Sequence, residues 1–332
     1  AIDQEETYER WLLVAPTAIL VSPRSPFRIV GGEGADDPTR VRLLHGFELA
    51  SRMSFFLWSS IPDDRLLQLA QKGQLNRTSV LRGEIQRMLA DPRSQSLVDG
   101  FATQWLNLRN LESASPDPDI FPFDDQLRSA MQRETELFFA AVMKDDRPVT
   151  DFLDGRYTFV NEQLAKHYGI EGVEGDEFRR VSLEGYPRAG VLTQASILTI
   201  TSDPTRTSPV KRGKWIMENI LGTPPPDPPT DVPEIEAARE ALPDSSFREQ
   251  LELHRSDAIC ASCHRHMDPL GFGFENYDAI GRRRERDGEL PIDATGLLPG
   301  GEGFNGPREL IDIVRRGEKE IVRAGTGHKE GG

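Results

Sequence analysis

Cys260 and Cys263 stand three positions apart, and His264 follows the second of them directly. Cys-x-x-Cys-His is the attachment sequence of a c-type haem. Two thiols at that spacing fall on neighbouring corners of one helical turn, where they can form thioethers to the two vinyl groups of one porphyrin. The histidine then offers an imidazole to the iron. The chain has two cysteines and six histidines in 332 residues, and both cysteines are used here. Random placement would give this arrangement in roughly one chain in ten thousand. Two other chemistries use the same residue types. A zinc ion held by Cys260 and Cys263 would need His254 and His266 to complete its four ligands, because no second Cys pair exists. A thiol redox pair is expected in a βαβ context, which this region lacks.

The sixth iron ligand separates the functions open to such a haem. Met267 lies three residues from His264, on the same helical face, and so packs on the same side of the porphyrin. His254 is the better local candidate, since Ser256 and Asp257 form a turn that folds the preceding helix over the distal face; His266, Met217 and Met53 are remote alternatives. An iron with two protein ligands suits electron transfer, whereas a five-coordinate iron binds peroxide or oxygen. A peroxidase would also need a distal acid or base and an arginine. For the haem propionates, Arg206, Lys211 and Arg212 on one side and Arg282, Arg283 and Arg284 on the other are candidate partners. Arginine grips carboxylates in a bidentate fashion, and solvated surface charge is the alternative for each. Asp268-Pro269 is expected to end the haem helix, Gly271 and Gly273 to let the backbone pass close to the porphyrin, and Glu275, Asn276 and Asp278 to fix the following loop.

Away from the motif, Glu134 falls inside the apolar stripe Leu127, Ala130, Met131, Leu137, Phe138, Ala141, Val142, where a carboxylate must find a partner or change its pKa. A buried ion pair is the expected answer, with proton transfer or metal binding as the alternative. Asp117, Asp119, Asp124 and Asp125 lack the alternation of an EF-hand and read as cap and loop residues.

The elements that must position these groups are mostly helical. Apolar residues recur at helical spacing over 47–59, with Leu49, Met53 and Phe56 as the stripe, and again over 78–89, 94–108, 124–143 and 160–168. Pro62 is placed to start a further helix, with Asp63 and Asp64 in its first turn. Residues 178–183 form the one short strand candidate, and 191–201 a mixed apolar segment. A helix over 209–221 follows the cap Ser208. The prolines at 224–226 and 228–229 exclude a helix and predict a stiff polyproline II connector. Beyond it come an acidic stretch, a helix over 246–254, the haem motif, and a Gly-rich tail with little regular structure before 307–315.

The formal charge of -14 argues against a nucleic-acid partner, which would require a basic face. No apolar run approaches the ~20 residues that span a bilayer, so no transmembrane segment is expected. The residues before Trp11 are acidic and do not read as a signal peptide. Export is inferred from the haem itself: covalent attachment takes place outside the bacterial cytoplasm, which implies a periplasmic or extracellular protein.

Several long strings carry a resemblance: ELASRMSFFLWSSIPDD at 48–64, RETELFF at 133–139, YTFVN at 157–161, TRTSPVKRGKW at 205–215 and CASCHRHMDPLGFGFENYD at 260–278. The chain resembles the large planctomycete-type secreted cytochrome c family, whose members carry serial domains of unknown function. It is similar to the domain numbered 1592 over about 40–170, to the domain numbered 1588 over about 186–283, and to the start of the domain numbered 1585 after that. Residues 1–35 resemble the end of a preceding domain of the same set, and part of the last domain is expected to be missing. The resemblance implies haem attachment and names no substrate.

The expectation is a mainly α protein: a helical domain over 36–185, a helical segment and proline-rich connector over 186–245, and a small cytochrome c-like module over 246–332 carrying one covalent haem c. Cys260, Cys263 and His264 hold the haem, with Arg206 and Arg212 at the propionates and His254 as the second axial ligand. Its expected work is electron transfer to a redox partner protein or neighbouring subunits of a larger assembly. A haem peroxidase or oxidase, and an interaction scaffold with a structural haem, are the alternatives.

Overall fold

A computed structural model of the chain describes residues 44–226, 247–254 and 258–316, with the side chains of residues 247, 253, 254 and 258–263 excepted. The stiff connector and the segment 1–35 expected from the sequence lie outside the described residues, apart from 223–226, which have no regular structure. The described chain is mainly helical, with three short two-stranded antiparallel sheets. Among the described residues no helix is long and apolar enough to cross a membrane. Contacts divide the chain between Met88 and Leu89 into two compact units.

The first unit is built on α1 (Gly46–Trp58), α2 (Asp64–Gln71) and α3 (Thr78–Ala90). The Glu48 carboxylate accepts the His45 N–H at 2.9 Å, half of a capping box that starts α1. The buried stripe of α1 runs through Ala50, Met53, Ser54, Leu57 and Trp58. Phe56, expected in the stripe, is 57% exposed. With apolar residues all round this helix, spacing alone does not select the buried face. Asp63 is the cap of α2, accepting the Leu66 N–H at 3.0 Å, so the helix begins after the point at which Pro62 was expected to start it. The buried Glu84 receives Arg65 and Arg87 at 2.7 and 2.8 Å, which compensates its loss of water.

The second unit is organised by α4 (Asp125–Lys144), capped by Asp124 through the Leu127 N–H at 2.7 Å. Its buried face packs on β1 (Tyr157–Val160), which pairs antiparallel with β2 (Arg179–Ser182) in the register Tyr157 to Ser182, and on α5 (Glu162–Tyr168). β2 falls within the strand expected at 178–183. β1 was not anticipated, because its four residues directly precede a helical pattern. Further along come α6 (Ala195–Ile200), α7 (Pro209–Trp215) continuing in π register over Ile216–Leu221, α8 (Phe247–His254), α9 (Ala258–Phe272) and α10 (Gly306–Arg316).

Between α9 and α10, where little regular structure was expected, lie two hairpins: β3 (Arg286–Asp287) with β4 (Leu290–Pro291), and β5 (Thr295–Leu297) with β6 (Gly303–Asn305). One core joins residues far apart in sequence. Leu127, Met131, Val160 and Leu164 pack with Ala195, and with Ala279 and Ile280 from the loop after α9.

Candidate functional site

The motif lies on α9, so the backbone sets Cys260, Cys263 and His264 within a little over one helical turn. The side chains of Cys260, Cys263 and His254 lie outside the described residues; His254 is the last residue of α8. His264 is described. Its Nδ1 donates to Asp268 Oδ1 at 3.0 Å, one turn further along α9, and the Asp268 side chain is fully buried. The i, i+4 spacing of His264 and Asp268 is the sequence signal of this contact, which the expectation of a helix end at Asp268-Pro269 does not include.

That end falls elsewhere. α9 runs through Pro269 to Phe272, three residues beyond the proline. Proline removes one backbone donor to the carbonyl four residues back, here that of Arg265, so α9 continues with one bond missing at this turn. The helix is held there by a close crossing with α7. A methyl group added at Gly213 would overlap the Met267 carbonyl, and one at Gly271 would overlap the Pro209 carbonyl. The two helices therefore meet backbone against backbone. Gly271 and Gly273, expected to face a porphyrin, face protein instead: Gly271 meets Pro209, and Gly273 meets Leu310 and Phe304.

Arg212 is buried on α7. Its Nη1 donates to the Phe274 carbonyl at 2.7 Å, to Glu275 Oε1 at 3.0 Å and to the Tyr277 carbonyl at 3.1 Å. Its Nη2 reaches the Asp278 carbonyl at 2.9 Å. Both terminal nitrogens are thus engaged by the loop after α9, and burial pulls the guanidinium down to about 10 despite the field of Glu275. Arg284 reaches the other Glu275 oxygen at 3.0 Å, and Thr207 donates to it at 2.7 Å. Asp278 accepts the N–H groups of Ile280 and Arg282. The polar cluster therefore fixes the loop, as its composition predicts. Arg206 and Lys211 pair with Asp203 at 3.0 and 2.5 Å, Arg282 pairs with Asp278, and Arg283 pairs with Glu285. Met267 is buried, His266 exposed and Met217 half-buried, while Met53 is buried in the first unit.

Glu134 is fully buried, and its hydrogen bonds differ from the expected ion pair. Thr158 Oγ1 donates to one carboxylate oxygen at 2.5 Å and Tyr168 Oη to the other at 2.6 Å. Burial pushes its pKa up to about 7; the two hydroxyls and the positive field of Arg188 act against that rise. Tyr168 also accepts the Ala195 N–H at 2.7 Å. Arg188, unnoticed in the sequence, lies over the rings of Tyr168 and Tyr277 at 3.8 and 4.8 Å and donates to the Thr193 and Gly281 carbonyls. Asp117 and Asp124 act in turn and cap, Asp117 accepting the Asp119 N–H at 2.9 Å. Among the described residues no group of three or more His, Cys, Asp or Glu could hold a metal ion.

The donor set fits a haem. A metal-bound imidazole characteristically gives its other N–H to a carboxylate or carbonyl, which fixes its tautomer and turns Nε2 toward the metal. The His264 to Asp268 contact meets that requirement.

Comparison with protein families matches two models. PSD4, described as a protein of unknown function (DUF1592), covers residues 44–170. PSCyt3, described as a protein of unknown function (DUF1588), covers residues 188–287 and includes the Cys-x-x-Cys-His segment. The chain carries both domains. No curated protein and no solved structure matches it.

Proposed function

We propose that this chain is a c-type cytochrome that carries one covalent haem and transfers electrons within a larger extracytoplasmic assembly. The single observation that carries the reading is the His264 Nδ1 to Asp268 contact of 3.0 Å, directly after the cysteine pair in the attachment sequence. Cys260 and Cys263 would form the thioethers and His264 would bind the iron, with His254 as the candidate for the opposite side. The haem supplies a one-electron centre, and the protein's part is to hold the imidazole, exclude water from its inner side and fix the loop beyond. Asp268 holds the ring through Nδ1. The α7 to α9 crossing and the Arg212 to Glu275 pair fix the helix and the loop 274–278. The proposed location is periplasmic or extracellular, and the proposed partner is a redox protein or a neighbouring subunit.

A haem enzyme of peroxidase or oxidase type is the second reading, and the same contact favours it, because a carboxylate behind the imidazole makes it a stronger electron donor to the iron. Optical spectra of the purified protein, oxidised and reduced, with and without carbon monoxide, distinguish the two. A low-spin spectrum unmoved by carbon monoxide supports the electron carrier. A high-spin spectrum that shifts with carbon monoxide supports the enzyme. Haem that leaves the chain on denaturation, or no haem at all, rejects both.

A further inference from the structure

We propose that Asp268 is a positioning residue that holds the haem iron at a low reduction potential through His264; this rests on the haem c reading above. Three observations on α9 lead there. The Asp268 side chain has no exposure to solvent, whereas His264 keeps 15%. The carboxylate oxygen and His264 Nδ1 are 3.0 Å apart, a hydrogen-bonding distance. The residues on either side of Asp268, Met267 and Pro269, are buried, and Gly213 on α7 receives the Met267 carbonyl.

A carboxylate in this setting acts on its neighbour with little screening by water. It draws the Nδ1 proton toward itself and leaves more negative charge on the ring. A more negative imidazole stabilises the ferric state over the ferrous one, because the oxidised iron carries the extra positive charge. The crossing keeps the pair from separating: the Asp268 backbone follows Met267, whose carbonyl is clamped at Gly213, and so the carboxylate cannot swing out to solvent without opening the seam. Asp268 touches neither the iron nor a substrate, and its effect passes entirely through the ligand.

The test is the midpoint potential of the haem-loaded full chain and of Asp268→Asn, which keeps the shape and removes the charge. The expected result is a more positive potential in the variant, with the one-electron equilibrium moved at least tenfold toward the ferrous form, about 59 mV. A change of less than twofold, with haem attached in both proteins, overturns the inference and leaves the cytochrome reading standing. Absence of covalent haem in the unaltered protein defeats that reading instead. Should Asp268→Asn fail to accumulate, Asp268→Glu carries the test: the displaced carboxylate weakens the contact and raises the potential, and an unchanged potential overturns the proposal. A merely structural role for Asp268 would lower the melting temperature in these variants without moving the potential.

Discussion

His167 Nε2 donates to the Ile280 carbonyl at 2.7 Å, joining the end of α5 to the loop that follows α9. Burial holds this imidazole down at about 4, against the pull of the Ile280 carbonyl. Glu134, in the same unit, is pushed up to about 7. The two groups act on stability in opposite senses. Between pH 4.5 and 7 the folded chain keeps a proton on Glu134 that the unfolded chain has lost, so stability falls as pH rises. Between pH 4 and 6.5 the unfolded chain binds a proton on His167 that the folded chain refuses, so stability falls as pH drops. The contributions nearly cancel around pH 5 to 6. Glu134→Gln should therefore show stability rising with pH across that window, and His167→Asn should show it falling, by up to ~3 kcal/mol between pH 4.5 and 7 for the Glu134 contribution. Urea unfolding at pH 4.5, 5.5 and 7 measures both slopes, and parallel slopes in the two variants would refute this assignment.

Arg212→Met should cost about 3 kcal/mol, since it leaves four acceptors of the loop 274–278 without their donor and strips one cation from the buried Glu275. Arg206→Met, at a pair with about a quarter of each side chain exposed, should cost under about 1 kcal/mol. Chemical denaturation of the two variants side by side checks the contrast.

Adding one methyl group should separate two kinds of glycine. Gly213→Ala places it on the Met267 carbonyl and should destabilise by about 1–3 kcal/mol or more. Gly83→Ala, at an exposed helical position with nothing within 4 Å of the new atom, should stabilise by up to about 1 kcal/mol. Opposite shifts in melting temperature are the expected reading.

Cys260→Ser with Cys263→Ser should abolish haem that survives denaturing electrophoresis, and His254→Ala should convert a low-spin spectrum to a high-spin one that responds to carbon monoxide. A low-spin spectrum retained in His254→Ala removes His254 as the axial ligand.

Much of this architecture was legible from sequence wherever one local signal dominates. Asp124 before a long amphipathic run and Ser208 before Pro209 each announce a helix start that the hydrogen bonds bear out. Glu134 stood out because it interrupts an apolar stripe. What stayed hidden depends on partners far away in the chain. Arg188 gains its role from Tyr168 and Tyr277, and nothing next to it in sequence points to either. Gly271 looked like a porphyrin neighbour because its closeness to something was evident; that the something is Pro209 follows only from the crossing of α7 and α9. Pro269 misled for a related reason, since its cost to a helix is local while the packing that carries α9 past it is not.

The glycine seam has one more consequence. Where side chains separate two helices, rotamer changes let the helices slide by fractions of an ångström; where carbonyls rest on bare α-carbons there is no such cushion, and sliding means lifting one backbone off the other. On the cytochrome reading, His264 is mounted on the helix pinned in this way. An iron that gains and loses charge on so stiff a mount finds nearly the same surroundings in both states, which keeps the nuclear rearrangement accompanying each electron small and the exchange correspondingly fast.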